Sequence, residues 1–222
     1  MDGLGQTVAV DTWAIVVAAG GGARFGAAKQ FARLGGVTVL DRAVGVARES
    51  CDGVVVVLPA EHSWSAPPDV RTATGGATRS ASVRSGLACI PHDVDVVVVH
   101  DAARPFATRA LFARVVAAVR AGADAAVPGL PVSDTVKRVR DNVVVETVAR
   151  DDLVAVQTPQ AFRRAALEAA HASAGVGTDD AALVEAAGGT VVVVEGESRN
   201  FKITLVADLE LAQTMVEEAR TS

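Results

Sequence analysis

The residues best suited to chemistry lie early in the chain, in Ala18-Ala19-Gly20-Gly21-Gly22-Ala23-Arg24-Phe25-Gly26-Ala27-Ala28-Lys29. Small residues and three successive glycines let backbone N–H groups approach an anion closely. Arg24 and Lys29 add positive charge at the far end of the segment. That combination suits a triphosphate, and charge that builds on a phosphorus under attack. The segment is not a Walker A loop, because GxxxxGK[ST] is absent. Nor is it a dinucleotide fingerprint, since reading Gly20-x-Gly22 puts Phe25 where the third glycine belongs. A tight structural turn is the competing reading.

A second group is His100-Asp101-Ala102-Ala103-Arg104-Pro105-Phe106, after the hydrophobic run Val94–Val99. Asp101 has the chemistry of a Mg2+ ligand, and Arg104 that of a bidentate phosphate partner. The alternative is that Asp101 caps a turn and pairs with Arg104. His100 reads as a packed, hydrogen-bonded residue rather than a catalyst. In Gly75-Gly76-Ala77-Thr78-Arg79-Ser80-Ala81-Ser82, a Gly-Gly turn leads into a helix whose first N–H groups could meet a base or ribose. A plain N-cap explains the same residues. Thr135, Lys137, Arg150 and Lys202 are further polar candidates, each with a solvated surface position as its default.

These groups need strands to position them. Apolar, β-branched runs recur at Trp13–Val17, Val37–Leu40, Val54–Leu58, Val94–Val99, Ala125–Val127, Val143–Val145 and Val191–Val194. Most are continuous rather than alternating, as in parallel strands buried on both faces. Helical spacing marks Asp41–Glu49, Ala81–Ala88, Thr108–Ala121, Phe162–Ala170, Thr178–Ala187 and Ala207–Arg220. The alternation predicts an α/β sandwich with a parallel sheet covered by helices, whose ligands bind in loops at the carboxyl ends of strands. Ser133–Gln157 breaks the rhythm. Thr135–Arg140 and Val143–Val148 flank Asp141-Asn142, a plausible hairpin turn. Such a β-arm is marginal alone and is expected to pack on a further surface, another subunit being one candidate. Residues 1–11 are expected to be a loose extension, Ser65–Asp69 an irregular loop, and 12–222 a single domain.

Composition narrows the classes. Half of the 222 residues are hydrophobic, which predicts a globule with a full core. The net charge of −5 speaks against nucleic acid as the partner. Cys51 and Cys89 fit no metal or redox spacing and read as core thiols of a cytoplasmic protein. No signal sequence and no membrane-length apolar run is visible.

Taken together, AAGxGxR…K, GGxxRxxSVxxGL, VHDAARPF, VSDTVKR, TPQ, TDD and NFKIT resemble the 2-C-methyl-D-erythritol 4-phosphate cytidylyltransferase family, from about Trp13 to Ala212. The resemblance implies an α/β, Rossmann-like three-layer nucleotidyltransferase domain with a mostly parallel sheet and a projecting β-arm through which a homodimer forms. It also implies transfer of CMP from CTP to the phosphorylated polyol methylerythritol phosphate, in isoprenoid precursor synthesis, with Mg2+ or another divalent cation. It places Ala18, Ala19, Gly20, Gly21 and Gly22 along the nucleotide, and Arg24, Lys29 and Lys202 as catalytic groups. Gly75, Gly76 and Ser82 would meet cytosine or ribose, Ala102 the ribose, and Asp101 the metal. Arg104, Thr135, Arg150 and Lys202 would hold the acceptor, with Arg150 supplied by the partner's arm. Val17 stands where the family often has Pro, and Ala77 where many members have Asp. A ribitol 5-phosphate cytidylyltransferase and a non-catalytic nucleotide-binding regulator are the alternatives. With the last helix ending the chain, a fused second enzyme is not expected.

Overall fold

The computed structural model describes residues 11–20, 28–172 and 178–221. The first strand, β1 (Thr12–Val17), is followed after the Gly-rich segment by a 3-10 turn, Lys29–Phe31. Next come the short strands β2 (Arg33–Leu34) and β3 (Val37–Thr38), then α1 (Val39–Ser50), β4 (Gly53–Leu58), β5 (Val70–Thr74), α2 (Arg79–Leu87), β6 (Val96–Asp101) and α3 (Arg109–Arg120). The second half holds β7 (Ala125–Pro131), β8 (Val136–Arg140), β9 (Val143–Val148), β10 (Val154–Val156) and β11 (Gln160–Arg163). It closes with α4 (Arg164–Ala172), α5 (Asp180–Ala186), β12 (Val191–Glu195) and α6 (Val206–Thr221).

The strands β5, β4, β1 and β6 run parallel in that order. Beyond β6, β11 lies antiparallel between β6 and β7. The antiparallel β10 continues along the same edge of β7, and β12 pairs in parallel on its other edge. The Val runs explain the layering. Successive strand residues face opposite sides, so Val54 and Val56 enter one core with Phe112 and Val115 of α3. Val55 and Val57 enter the other with Val83 of α2 and Leu167 of α4. Every residue of β6 is buried, as a strand covered on both faces requires. A smaller core joins α6 to Leu34 and Val39 through Ile203, Ala212 and Val216.

Two sequence assignments change. Val37–Leu40 is not a strand throughout: Val39 and Leu40 open α1. The Thr38 side chain accepts from the Asp41 N–H while Asp41 accepts from the Thr38 N–H, a capping box that starts the helix two residues earlier. Phe162 is not helical either. It pairs with Val97 and Ala125 inside the sheet, where tertiary pairing overrides the helical bias of the Ala/Arg-rich segment. The strand β5 carried no signal, because its residues alternate weakly and it lies at an edge. Cys51 and Cys89 are free thiols that are only half-buried, on the margins of the core.

The arm forms as expected. β8 and β9 make a separate two-stranded ribbon closed by Asp141 and Asn142, at φ 48° and 61°. Two successive positive φ values are what a tight hairpin turn matched to strand twist demands, and Asp and Asn tolerate them. Among the described residues, no helix is long and apolar enough to cross a membrane.

Candidate active site

The register of the sheet assembles the site. Val17, the last residue of β1, pairs with Asp101, the last residue of β6. Beyond the strand ends, the Ala18 N–H donates to the Val57 carbonyl at 2.8 Å and the Ala102 N–H to the Val17 carbonyl at 3.1 Å. The Gly-rich segment therefore leaves the sheet directly beside Asp101. A cavity of about 420 Å3 opens there. Val17 to Gly20, Lys29 and Gln30 form one wall, and Gly76 to Arg79 with Ser82 form another. Asp101, Ala102, Ala103 and Lys202 complete it.

Gln30 escaped notice in the sequence. Its side chain is buried, and its amide donates to the carbonyls of Ala18 at 2.7 Å and Gly20 at 3.3 Å. Turning those carbonyls toward Gln30 leaves the opening of the segment to present N–H groups instead of oxygens to an anion. Across the cavity, Gly75 comes so close to the β1 loop that a Cβ would sit 2.2 Å from Ala19 Cβ. Only glycine allows that approach. Ser82 donates to the Thr78 carbonyl at 3.0 Å and accepts from the Gly76 N–H at 3.2 Å, which ties the Gly-Gly turn to the start of α2. Thr78 caps this helix, as the bland reading of the motif held. The cavity nevertheless lies against that helix start.

Asp101 is the electrostatic centre. Lys202 Nζ donates to its Oδ2 at 2.6 Å, and an Arg79 Nη lies 3.6 Å from Oδ1. Burial pushes the carboxyl upward, but the charges of Lys202 and Arg79 and the Lys202 hydrogen bond outweigh it and hold the group at about 2. Asp101 is thus ionised across the physiological range. Among the described residues there is no group of three or more metal-ligating side chains. One ionised carboxylate lining an open cavity still fits Mg2+, which uses one or two carboxylates and takes its other ligands from phosphate and water.

The suggested Asp101–Arg104 pair forms only through the backbone, the Arg104 N–H donating to the Asp101 carbonyl at 3.0 Å. The Arg104 guanidinium instead donates to the Asn200 carbonyl at 2.8 Å, and its buried Nε has no hydrogen-bond partner. His100, fully buried, acts as a brace. Its Nε2 meets the Arg104 carbonyl at 3.2 Å and its Nδ1 meets Thr158 Oγ1 at 3.1 Å. Thr158 Oγ1 also accepts from the Asp101 N–H at 2.9 Å. Burial pushes the imidazole down to about 4, so it is neutral near pH 7. In that state Nε2–H donates to Arg104 while Nδ1 accepts from Thr158. Asn200, also fully buried, donates to the Thr158 carbonyl at 2.9 Å and anchors the loop that carries Lys202.

Of the sequence candidates, Ala18, Ala19, Gly20, Lys29, Gly76, Ser82, Asp101, Ala102 and Lys202 share one cavity. Gly75 supports its wall. Gly21, Gly22 and Arg24 lie outside the described residues. Thr135 and Arg150 are exposed at the base of the arm and do not line the cavity, Arg150 donating to the Ser133 carbonyl. Arg79 is a third cation on the cavity wall, beside Lys29 and Lys202, and its place in the Gly-Gly motif gave no hint of that position.

A mostly parallel sheet with a Gly-rich loop after its first strand, and an aspartate ending the neighbouring one, defines a Rossmann-like nucleotidyltransferase. The family model "IspD: 2-C-methyl-D-erythritol 4-phosphate cytidylyltransferase" matches residues 12–218, and the chain belongs to that family. A 2-C-methyl-D-erythritol 4-phosphate cytidylyltransferase of Rhodococcus jostii is 46% identical, with 98% of each chain covered. A bifunctional enzyme IspD/IspF of Clavibacter michiganensis is 48% identical over 91% of this chain, which spans only 53% of that relative. The crystal structure of the Thermus thermophilus 2-C-methyl-D-erythritol 4-phosphate cytidylyltransferase superposes with a TM-score of 0.81 at 38% identity, covering 91% of this chain and 98% of that one.

Proposed function

We propose that this chain transfers the cytidylyl group of CTP to 2-C-methyl-D-erythritol 4-phosphate, giving the CDP-alcohol and pyrophosphate for isoprenoid precursor synthesis. The observation that carries the reading is the convergence of Ala18–Gly20, Lys29, Asp101 and Lys202 on one cavity.

The chemistry follows from the acceptor. Its attacking phosphate oxygen is already ionised near pH 7, so no general base is needed. The obstacles are repulsion between anions and alignment of the attack in line with the departing pyrophosphate. Lys29, with Arg24 from the same segment, offsets negative charge along the triphosphate. Lys202 sits where acceptor and nucleotide phosphates would meet. Arg104, three residues beyond Asp101 and held by the Asn200 carbonyl, does not line the cavity and is assigned to the acceptor phosphate by the family's motif. Gly75, Gly76 and Ser82 shape the side that would receive cytosine and ribose, with Ala102 beneath the sugar. A divalent cation such as Mg2+, held by Asp101, would supply charge neutralisation on the phosphate oxygens.

The arm supports a homodimer. Val139, Val143, Val144 and Val145 are all more than half exposed, so the ribbon shows apolar side chains on both faces. A two-stranded ribbon is marginal without a covering surface, and a second copy supplies one. In that assembly, Thr135 and Arg150 reach the acceptor from the partner's arm. The test is pyrophosphate release with four nucleoside triphosphates crossed against methylerythritol and ribitol phosphates. Release with CTP and methylerythritol phosphate alone supports the reading. Equal or faster release with ribitol phosphate overturns the acceptor.

A further inference from the structure

Asp180 has no part in the site as described, yet its side chain is fully buried. It accepts from Arg79 on one oxygen, and its other oxygen lies 2.9 Å from His171 Nε2. Arg79 also reaches Asp101, at 3.6 Å. One guanidinium is therefore divided between two carboxylates. One stands on the cavity wall, and the other lies buried behind it. An arginine does not shed its proton, so its single charge is shared between them, and what one carboxylate draws the other loses. Asp179 adds its charge in favour of the Arg79 cation but makes its hydrogen bonds elsewhere: it caps α5 through the Ala182 N–H and accepts from Gln160.

Asp101's two cationic partners differ in freedom. Lys202 is 41% exposed on a flexible stem and can follow an incoming phosphate. Arg79 is more enclosed, at 29%, and is held at the first turn of a capped helix. For Asp101 to take a cation, the charge of Arg79 must be satisfied somewhere else.

We propose that Asp180 is a positioning residue that draws Arg79 off Asp101 and so leaves Asp101 able to take a divalent cation. This rests on the reading of Asp101 as the cation's ligand. His171 contributes by holding Asp180 in place from the opposite side. The coupling is electrostatic, and the sign of each substitution follows from it. Asp180→Asn leaves Arg79 with Asp101 as its nearest counter-charge, which opposes cation binding. Arg79→Lys cannot span two carboxylates. Its single ammonium stays with Asp180, the nearer one, and Asp101 is relieved.

The experiment is calorimetric titration of the full chain with CTP across a series of free Mg2+ concentrations, with no acceptor present. The Mg2+ midpoint for tight CTP binding is expected to rise on the order of tenfold in Asp180→Asn, and to fall about threefold in Arg79→Lys. Unchanged midpoints in both, with wild-type circular dichroism, overturn the proposal. Shifts in the same direction do so as well, since general loosening gives that result. If Asp180→Asn fails to fold, Arg79→Lys decides: a lower midpoint supports the proposal, and an unchanged or higher one overturns it. Asp101→Asn serves as the control on the underlying reading. If it keeps the wild-type Mg2+ dependence, Asp101 is not the ligand and the proposal falls with that assignment.

Discussion

Lys202 Nζ and Asp101 Oδ2 meet at 2.6 Å although 101 residues separate them in the chain. The contact joins the loop before α6 to the end of β6. It places a mobile cation and a fixed anion side by side at the mouth of one cavity. Lys202→Met removes the mobile cation while keeping much of its length. Turnover should fall about 100-fold or more, on the scale of a lost transition-state contact. Asp101 also loses its largest stabilising charge, so its carboxyl moves up from about 2. The acid limb of the pH–rate profile should then shift to higher pH. A variant with wild-type turnover and an unmoved limb would show that Lys202 only ties down its loop.

Lys29 lies on the cavity wall at the end of the Gly-rich segment. Lys29→Ala and Arg24→Ala should each lower turnover by about two orders of magnitude, with the fold intact by circular dichroism. Near-normal turnover in both would refute their assigned part in transition-state stabilisation.

His100 gives the fold a specific pH dependence. Its pKa in the folded chain is lowered from 6.5 to about 4 by burial. Between those values the unfolded chain binds a proton that the folded chain does not, so stability falls as pH falls through that window. From pH 7.5 to pH 5 the loss from this one group is about 2 kcal/mol. His100→Gln should abolish this share of the slope. Urea unfolding of both proteins at the two pH values measures the difference. Parallel pH dependences would mean that His100 charges freely in the native state.

Gln30 holds two carbonyls of the nucleotide loop. Gln30→Met keeps its bulk but leaves those oxygens without their donor, costing about 1–3 kcal/mol of stability. The KM for CTP should rise more than the KM for the acceptor if, as proposed, this loop holds the nucleotide. Steady-state kinetics with each substrate varied in turn would show it. Equal rises in both constants would count against a positioning role.

The arm should report on assembly. Val144 is 54% exposed on β9. Val144→Glu places a charge on the apolar ribbon and should shift the chain toward monomer in sedimentation at micromolar concentration. Activity should fall with it if Arg150 acts across the interface. A dimer unaffected by this change would place the interface elsewhere.

Much of the site was legible because its residues are clustered in sequence. The glycines before Lys29, and Asp101 with Arg104 after the apolar run Val96–Val99, announce phosphate chemistry at strand ends. The missed groups were silent for a physical reason. Gln30 is a neutral amide whose value comes from the chain folding back over β1. Arg79 looks like an ordinary first-turn helix residue until α5 brings Asp180 against it. Phe162 and Arg163 at the end of β11 read as helix by composition and are strand only because β6 and β7 leave a gap for them.

By itself, the sequence determined the alternation of strands and helices, the turn at Asp141-Asn142 and the family, since periodicity, turn chemistry and contiguous motifs are local properties. Tertiary structure decided which charges share a counter-ion. Lys202, Asp101, Arg79, Asp180 and His171 form one chain of contacts drawn from five separate segments. Electrostatic energy depends on distance in space, and the order of residues along a chain does not fix that distance until the sheet register is set.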